Sequence, residues 1–151
     1  MLRLVPNHWY SWDVTVSDES RPVAGIATTN WMREKGELTI DAARYQMYRE
    51  GWMSGDFILE QAGQVLARAD KRIFRREFVI RYGGRDYRLR PGSIFGRTYV
   101  LENGSREIGS VAPEGLFTRK AAVDLPHDLP LPVRMFIVWL TVISWRRQQS
   151  S

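Results

Sequence analysis

Few residues in this chain have the types and spacing that catalysis or metal binding needs. Among 151 residues there is no cysteine, and the only histidines are His8 and His127. The lack of cysteine excludes disulfides, zinc thiolates and thiol nucleophiles, and it is compatible with a reducing compartment. Two histidines so far apart in sequence do not suggest a zinc site. His127 and Asp128 are adjacent, but geometry rather than adjacency makes an acid–base dyad. Pro126 and Pro130 place the pair in a turn. No Walker A or dinucleotide-type glycine pattern is present. We therefore assign no catalytic residue, no metal and no other cofactor, and the reading leans away from an enzyme.

Charge is the one uneven feature. The formal net charge is +5, carried by 19 Arg and 3 Lys against 17 acids. Residues 68–97 hold ten of the cations and three acids, a net of +7, which leaves −2 for the rest. A run of charge usually marks a solvated face. The sharper reading is an anion site, because the guanidinium fork suits bidentate phosphate contact. Arg72, Arg75, Arg76 and Arg88 are the candidates, since the pairing below gives them no acidic partner. That pairing points Arg75 and Arg88 outward and puts Arg76, which shares the parity of Phe78, at a barrel rim.

The elements that must position these residues are mostly strands. Apolar and polar residues alternate over His8–Val16, Glu37–Ala42 and Arg44–Glu50, and Pro22–Trp31 is rich in small and β-branched residues. Ser17–Arg21 is a polar loop. Asp56–Glu60 and Gln64–Lys71 flank Gln61-Ala62-Gly63, a three-residue loop with Gly where a left-handed residue is wanted. That register sets Leu59 opposite Val65, Phe57 opposite Ala67 and Asp56 opposite Arg68. Arg75–Tyr82 and Arg85–Arg90 flank Gly83-Gly84, which suits a type I′ turn. Phe78 then faces Leu89, Ile80 faces Tyr87, Arg81 faces Asp86 and Glu77 faces Arg90. Gly96–Glu102 and Arg106–Val111 form a hairpin across Asn103-Gly104, and Leu116–Leu125 supplies one or two further strands. Trp9, Trp12, Trp31 and Trp52 read as packing residues rather than base-stacking platforms.

About twelve strands result, followed by a different pattern. After Leu129-Pro130-Leu131-Pro132, residues Val133–Trp145 are apolar nearly all round. Pro132 suits a helix start, and Arg146 and Arg147 suit its end. A helix without a polar face must be buried in protein or lipid. Its uninterrupted apolar run, Met135–Trp145, is about half of the roughly 20 residues that span a bilayer. A buried protein helix is favoured over a tail anchor. The fold expected is one mainly β domain over residues 1–151: an antiparallel β-barrel of about twelve strands around a buried hydrophobic C-terminal α-helix. Met1–Trp12 has no apolar stretch of signal-peptide length, so a cytoplasmic protein is expected.

Gly55-Asp56-Phe57-Ile58-Leu59, Gly63–Lys71, Glu107-Ile108-Gly109-Ser110-Val111, and Leu129-Pro130 leading into Phe136 and Leu140 resemble the tubby C-terminal-like superfamily. That superfamily includes the LURP-one-related and phospholipid scramblase families. The resemblance implies a twelve-stranded barrel around a hydrophobic helix, in a superfamily whose members include phosphoinositide binders and proposed lipid scramblases. With no cysteine, the chain has no counterpart of the palmitoylated cluster of scramblases. Together these features point to a binding module for anionic phospholipid at a membrane surface. A structural or protein-binding domain and an enzyme with an unrecognised site are the alternatives, and nucleic acid is a disfavoured partner.

Overall fold

Five two-residue turns set the architecture. Glu19-Ser20, Asp41-Ala42, Ala62-Gly63, Gly83-Gly84 and Gly104-Ser105 each reverse the chain, and the first residue of each has a φ between 48° and 66°. A positive φ at that position is what types I′ and II′ share, and those turns match the right-handed twist of paired strands. Glycine supplies it freely at Gly83-Gly84; Glu19, Asp41 and Ala62 adopt it at some steric cost.

The computed structural model describes residues 1–8, 11–52, 55–71, 76–92, 96–115 and 118–150. Twelve strands precede one helix: β1 (Leu2–Pro6), β2 (Val14–Asp18), β3 (Arg21–Asn30), β4 (Lys35–Ile40), β5 (Ala43–Arg49), β6 (Phe57–Gln61), β7 (Gln64–Lys71), β8 (Phe78–Tyr82), β9 (Arg85–Pro91), β10 (Tyr99–Asn103), β11 (Arg106–Pro113), β12 (Ala121–Asp124) and α1 (Leu131–Ser150). Every strand pairs antiparallel with the next, and β12 returns to β1 with Leu2 opposite Val123. The sheet is thus a closed up-and-down barrel with no free edge.

Inward side chains such as Leu4, Val16, Leu38, Met47, Leu59 and Ile80 alternate with outward ones and pack on α1. The helix is buried from Met135 to Trp145, including the expected Phe136, Val138, Trp139, Leu140, Val142 and Ile143. Its polar atoms are satisfied inside the barrel. Thr141 and Ser144 donate back to the carbonyls of Ile137 and Leu140, Trp139 donates to Thr28 Oγ1 at 3.1 Å, and Trp145 donates to the Arg97 carbonyl at 2.7 Å. Among the described residues no helix is long and apolar enough to cross a membrane.

Several sequence expectations need correction. The first strand is Leu2–Pro6, and among the described residues of the run expected from His8 only Val14–Val16 are strand. The β6–β7 loop has two residues, and a bulge beside Leu59 places Leu59 opposite Ala67 and Phe57 opposite Ala69. Asp56 and Arg68 still meet diagonally at 3.5 Å. The β8–β9 register is as expected, with Phe78 opposite Leu89, Ile80 opposite Tyr87, and Arg81 opposite Asp86 at 3.9 Å. Arg90, however, turns to Glu102 on β10. The β10–β11 turn is Gly104-Ser105, one residue beyond the expected place. In the last expected strand region only Ala121–Asp124 is strand among the described residues. The helix runs past Trp145 to Ser150.

Candidate functional site

The up-and-down topology gives the barrel two unlike ends. The five two-residue turns and the start of α1 lie at one, hereafter the turn end. At the other, the loop end, lie the end of α1 and the strand ends joined by the connections 7–13, 31–34, 50–56, 72–77, 92–98 and 114–120. By sequence, those six connections with Arg146 and Arg147 hold nine Arg or Lys and six acids. The five turns and the 125–130 connection hold Glu19, Asp41 and Asp128 and no Arg or Lys. Arg21, Arg85 and Arg106 flank those turns and Arg134 lies in the first turns of α1, so the turn end is near neutral, and by sequence the basic excess belongs to the loop end.

Within the loop end, Lys71, Arg76, Tyr99, Ser144, Arg147 and Gln148 line a cavity of about 160 Å³. Each comes from an element that must end there: β7, the β7–β8 connection, the first residue of β10, and the last turns of α1. Gln148 donates to the Tyr99 hydroxyl at 3.3 Å. Burial raises the Tyr99 phenol, while hydrogen bonding to Ser144 and Gln148 and the charge of Arg76 pull it back. Burial lowers the Lys71 ammonium, and repulsion from Arg147 lowers it more than attraction to Glu34 raises it. Lys71 thus feels a local excess of positive charge. Helix carbonyls at the end of α1 attract cations too, but the macrodipole supplies only about half a charge.

Arg147 also belongs to a buried ion cluster beside this cavity. Glu34 accepts from Arg147 Nε at 2.7 Å and from the nearest guanidinium nitrogens of Arg147 and Arg49. The Glu34 and Arg49 side chains are only 8% and 10% exposed. Glu34 has a φ of 54°, a strained backbone for a non-glycine residue, in a loop fixed by these contacts.

Of the four arginines singled out in the sequence, Arg72 and Arg75 lie outside the described residues. Arg76 lies at the loop-end rim and lines the cavity. Arg88 points outward as expected, but it has a partner, which corrects the sequence reading. Glu102 accepts from Arg88 Nε at 2.9 Å and Nη2 at 2.6 Å, and from Arg90 Nε at 2.9 Å. Both arginines hold the Glu102 carboxyl below its ordinary range. Arg88 also stands opposite Val79, and Arg90 opposite Val100, on the barrel's outer face. Both valines are buried there. Part of the basic segment is thus wall structure, with arginine stems as neighbours of outward aliphatic groups. Lys71 and Arg147 were missed. Lys71 is brought to Arg76 by the local β7–β8 pairing, with Lys71 opposite Phe78, whereas Arg147 reaches them only because the end of α1 returns to this end of the barrel.

The histidines do not combine. His8 is in the β1–β2 connection at the loop end, while His127 precedes α1 at the turn end. His127 lines a cavity of about 400 Å³ with Asp18, Asp124 and Arg134, and Asp128 lines a different one. Among the described residues no group of three or more potential ligands could hold a metal ion. Trp12 and Trp31 pack edge to face at 6.1 Å, as packing residues should. Trp52 departs from that expectation and is 67% exposed. No protein-family model, no curated protein and no solved structure matches the chain.

Proposed function

We propose that this chain is a non-enzymatic binding module that takes the phosphate of anionic lipid headgroups at the loop end of its barrel. The observation that carries the reading is the convergence of Lys71, Arg76 and Arg147 on one cavity with the Tyr99 hydroxyl and the Gln148 amide. Lys71 has no hydrogen-bond or ion-pair partner among the described residues. An anion seated there would relieve the repulsion between Lys71 and Arg147. At about 160 Å³ the cavity is smaller than pockets for drug-sized ligands, which run from roughly 300 Å³ upward, so it suits one phosphate group. The resemblance to tubby-like proteins, some of which bind phosphoinositides, agrees with this reading, which implies a cytoplasmic protein peripheral to a membrane.

Sedimentation with vesicles tests it. At low salt the protein should pellet with phosphatidylserine-containing vesicles and not with pure phosphatidylcholine. Attraction near an anionic membrane is worth about 1 kcal/mol per basic residue. Changing Lys71 and Arg76 together to Gln should therefore weaken binding by roughly thirtyfold. A parent protein that ignores anionic vesicles, or a double variant that binds as well as the parent, would sink the reading.

A further inference from the structure

Among the described residues four large apolar side chains are exposed: Met1, Met32, Trp52 and Val65. Met1, just before β1, and Val65, on β7, lie at the turn end, half the barrel circumference apart. They form no common patch. Met32 and Trp52 differ. They sit on two neighbouring loop-end connections, and they are 86% and 67% exposed. One guanidinium ties them together: Arg49 Nη2 donates to the Met32 carbonyl at 3.4 Å and to the Trp52 carbonyl, and Arg49 Nε donates to the Gly51 carbonyl at 3.1 Å.

That guanidinium is itself held. Arg49 is ion-paired to Glu34, and Glu34 to Arg147, which lines the basic cavity. A buried charge cluster thus presents two large apolar side chains to solvent and links their backbone to the cationic cavity. Buried ion clusters contribute little net stability compared with apolar packing. This one ties the backbones of both loops together through Arg49.

We infer that Met32 and Trp52 form an apolar wedge that enters the interface of an anionic bilayer, with the loop end facing the membrane and the helix axis steep to its plane. This inference rests on the headgroup reading above and adds the docking surface and orientation. Charge complementarity selects the occupant: the wedge stands at the same end of the barrel as the cationic cavity of Lys71, Arg76 and Arg147, to which the Arg49–Glu34–Arg147 cluster joins it. Trp is suited to the headgroup level, where one part of the ring is apolar and another wet.

Because the chain has no cysteine, single labels are clean. Met32→Cys and Val65→Cys, each carrying an environment-sensitive fluorophore, should be titrated with phosphatidylcholine vesicles with and without phosphatidylserine. The label at position 32 should shift to the blue and brighten with anionic vesicles, and the label at position 65 should stay unchanged. Changing Met32 and Trp52 together to Ser should weaken vesicle binding about tenfold and leave sulfate binding at the cavity intact. Sedimentation with a silent label at position 32 would overturn the wedge and leave the headgroup reading standing. Absence of sedimentation would overturn both. A blue shift at position 32 that grows with protein concentration and needs no vesicles would assign the face to a second copy of the chain and overturn the inference.

Discussion

Glu34 shows what a single residue can organise. Its carboxylate joins Arg49 and Arg147, which are 15 and 113 positions away, and its backbone sits at positive φ. Replacing it by Gln would leave two guanidinium groups in a poorly hydrated site without a counter-charge. Removing one partner of a buried pair costs about 3–5 kcal/mol, and Arg147 is partly exposed, so the lower figure applies. Glu34→Gln should lower the melting temperature by roughly 10 °C in thermal denaturation. A second residue carries a pH signature. The Tyr48 hydroxyl donates to Glu60 at 2.5 Å, which with burial pushes the phenol from 10.0 up to about 12. The unfolded chain then loses this proton at a lower pH than the folded one. Tyr48's contribution is complete below pH 10 and fades as pH rises through about 12. Tyr48→Phe should cost about 1–2 kcal/mol at neutral pH and flatten the alkaline decline in that window. Local pairs such as Arg81–Asp86 were legible from the hairpin register. The Glu34 cluster was legible only in half: Glu34 meets Arg49 just beyond the Lys35–Tyr48 pair of the β4–β5 hairpin, but Arg147 joins them only when the helix end returns to the β3–β4 connection.

At the scale of elements, the sequence was most legible where several signals agreed. Gly83-Gly84 chose the turn, and the alternating pattern chose the register. The largely apolar Met135–Trp145 announced a helix that had to be buried, and the barrel buries it. What escaped was bulge placement: one extra residue beside Leu59 or Leu101 shifts a register that alternation alone cannot fix. Helix and wall also constrain each other. A Cβ at Gly36 on β4 would come within 2.8 Å of Trp139 Nε1 and 3.1 Å of Trp139 Cε2. Glycine there lets the helix indole lie against the strand and reach Thr28. Gly36→Ala should therefore destabilise by about 1–3 kcal/mol through overpacking, read as a lower denaturation midpoint with an unchanged slope. Leu140→Asp is more severe. It places an unpaired carboxylate among buried strands, a cost of several kcal/mol, and should leave no cooperative unfolding transition in circular dichroism. A folded Leu140→Asp protein with a normal melting curve would contradict the buried-helix packing.

Over the whole molecule, the turns begin at 19, 41, 62, 83 and 104, a spacing of 21 or 22 residues. The connections of the loop end keep the same beat, and each contains two adjacent large apolar residues in sequence, from Trp9-Tyr10 and Trp31-Met32 to Leu116-Phe117. Several of these pairs lie outside the described residues. The period was present in the sequence but hidden, since strand residues vary and only turns and connections repeat. It makes the barrel a cycle of similar hairpins whose two ends carry different charge. This polarity separates an oriented docking surface from a merely basic protein. A helix of 20 residues is about 30 Å long, so the ends are several Debye lengths apart at physiological salt, where that length is about 8 Å. Changing Glu19, Asp41 and Asp128 to their amides raises the net charge by three at the turn end. If the loop end docks, this should alter affinity for anionic vesicles by less than about twofold. Changing Arg33, Arg76 and Lys120 to Gln lowers the net charge by three at the loop end. Binding should then fall by roughly a hundredfold, at about 1 kcal/mol per residue near the membrane. Added salt should shrink the gap between the two triple variants, because screening weakens the contribution of the loop end. If equal and opposite changes in charge produce equal and opposite changes in affinity, net charge alone governs binding, and the oriented arrangement fails.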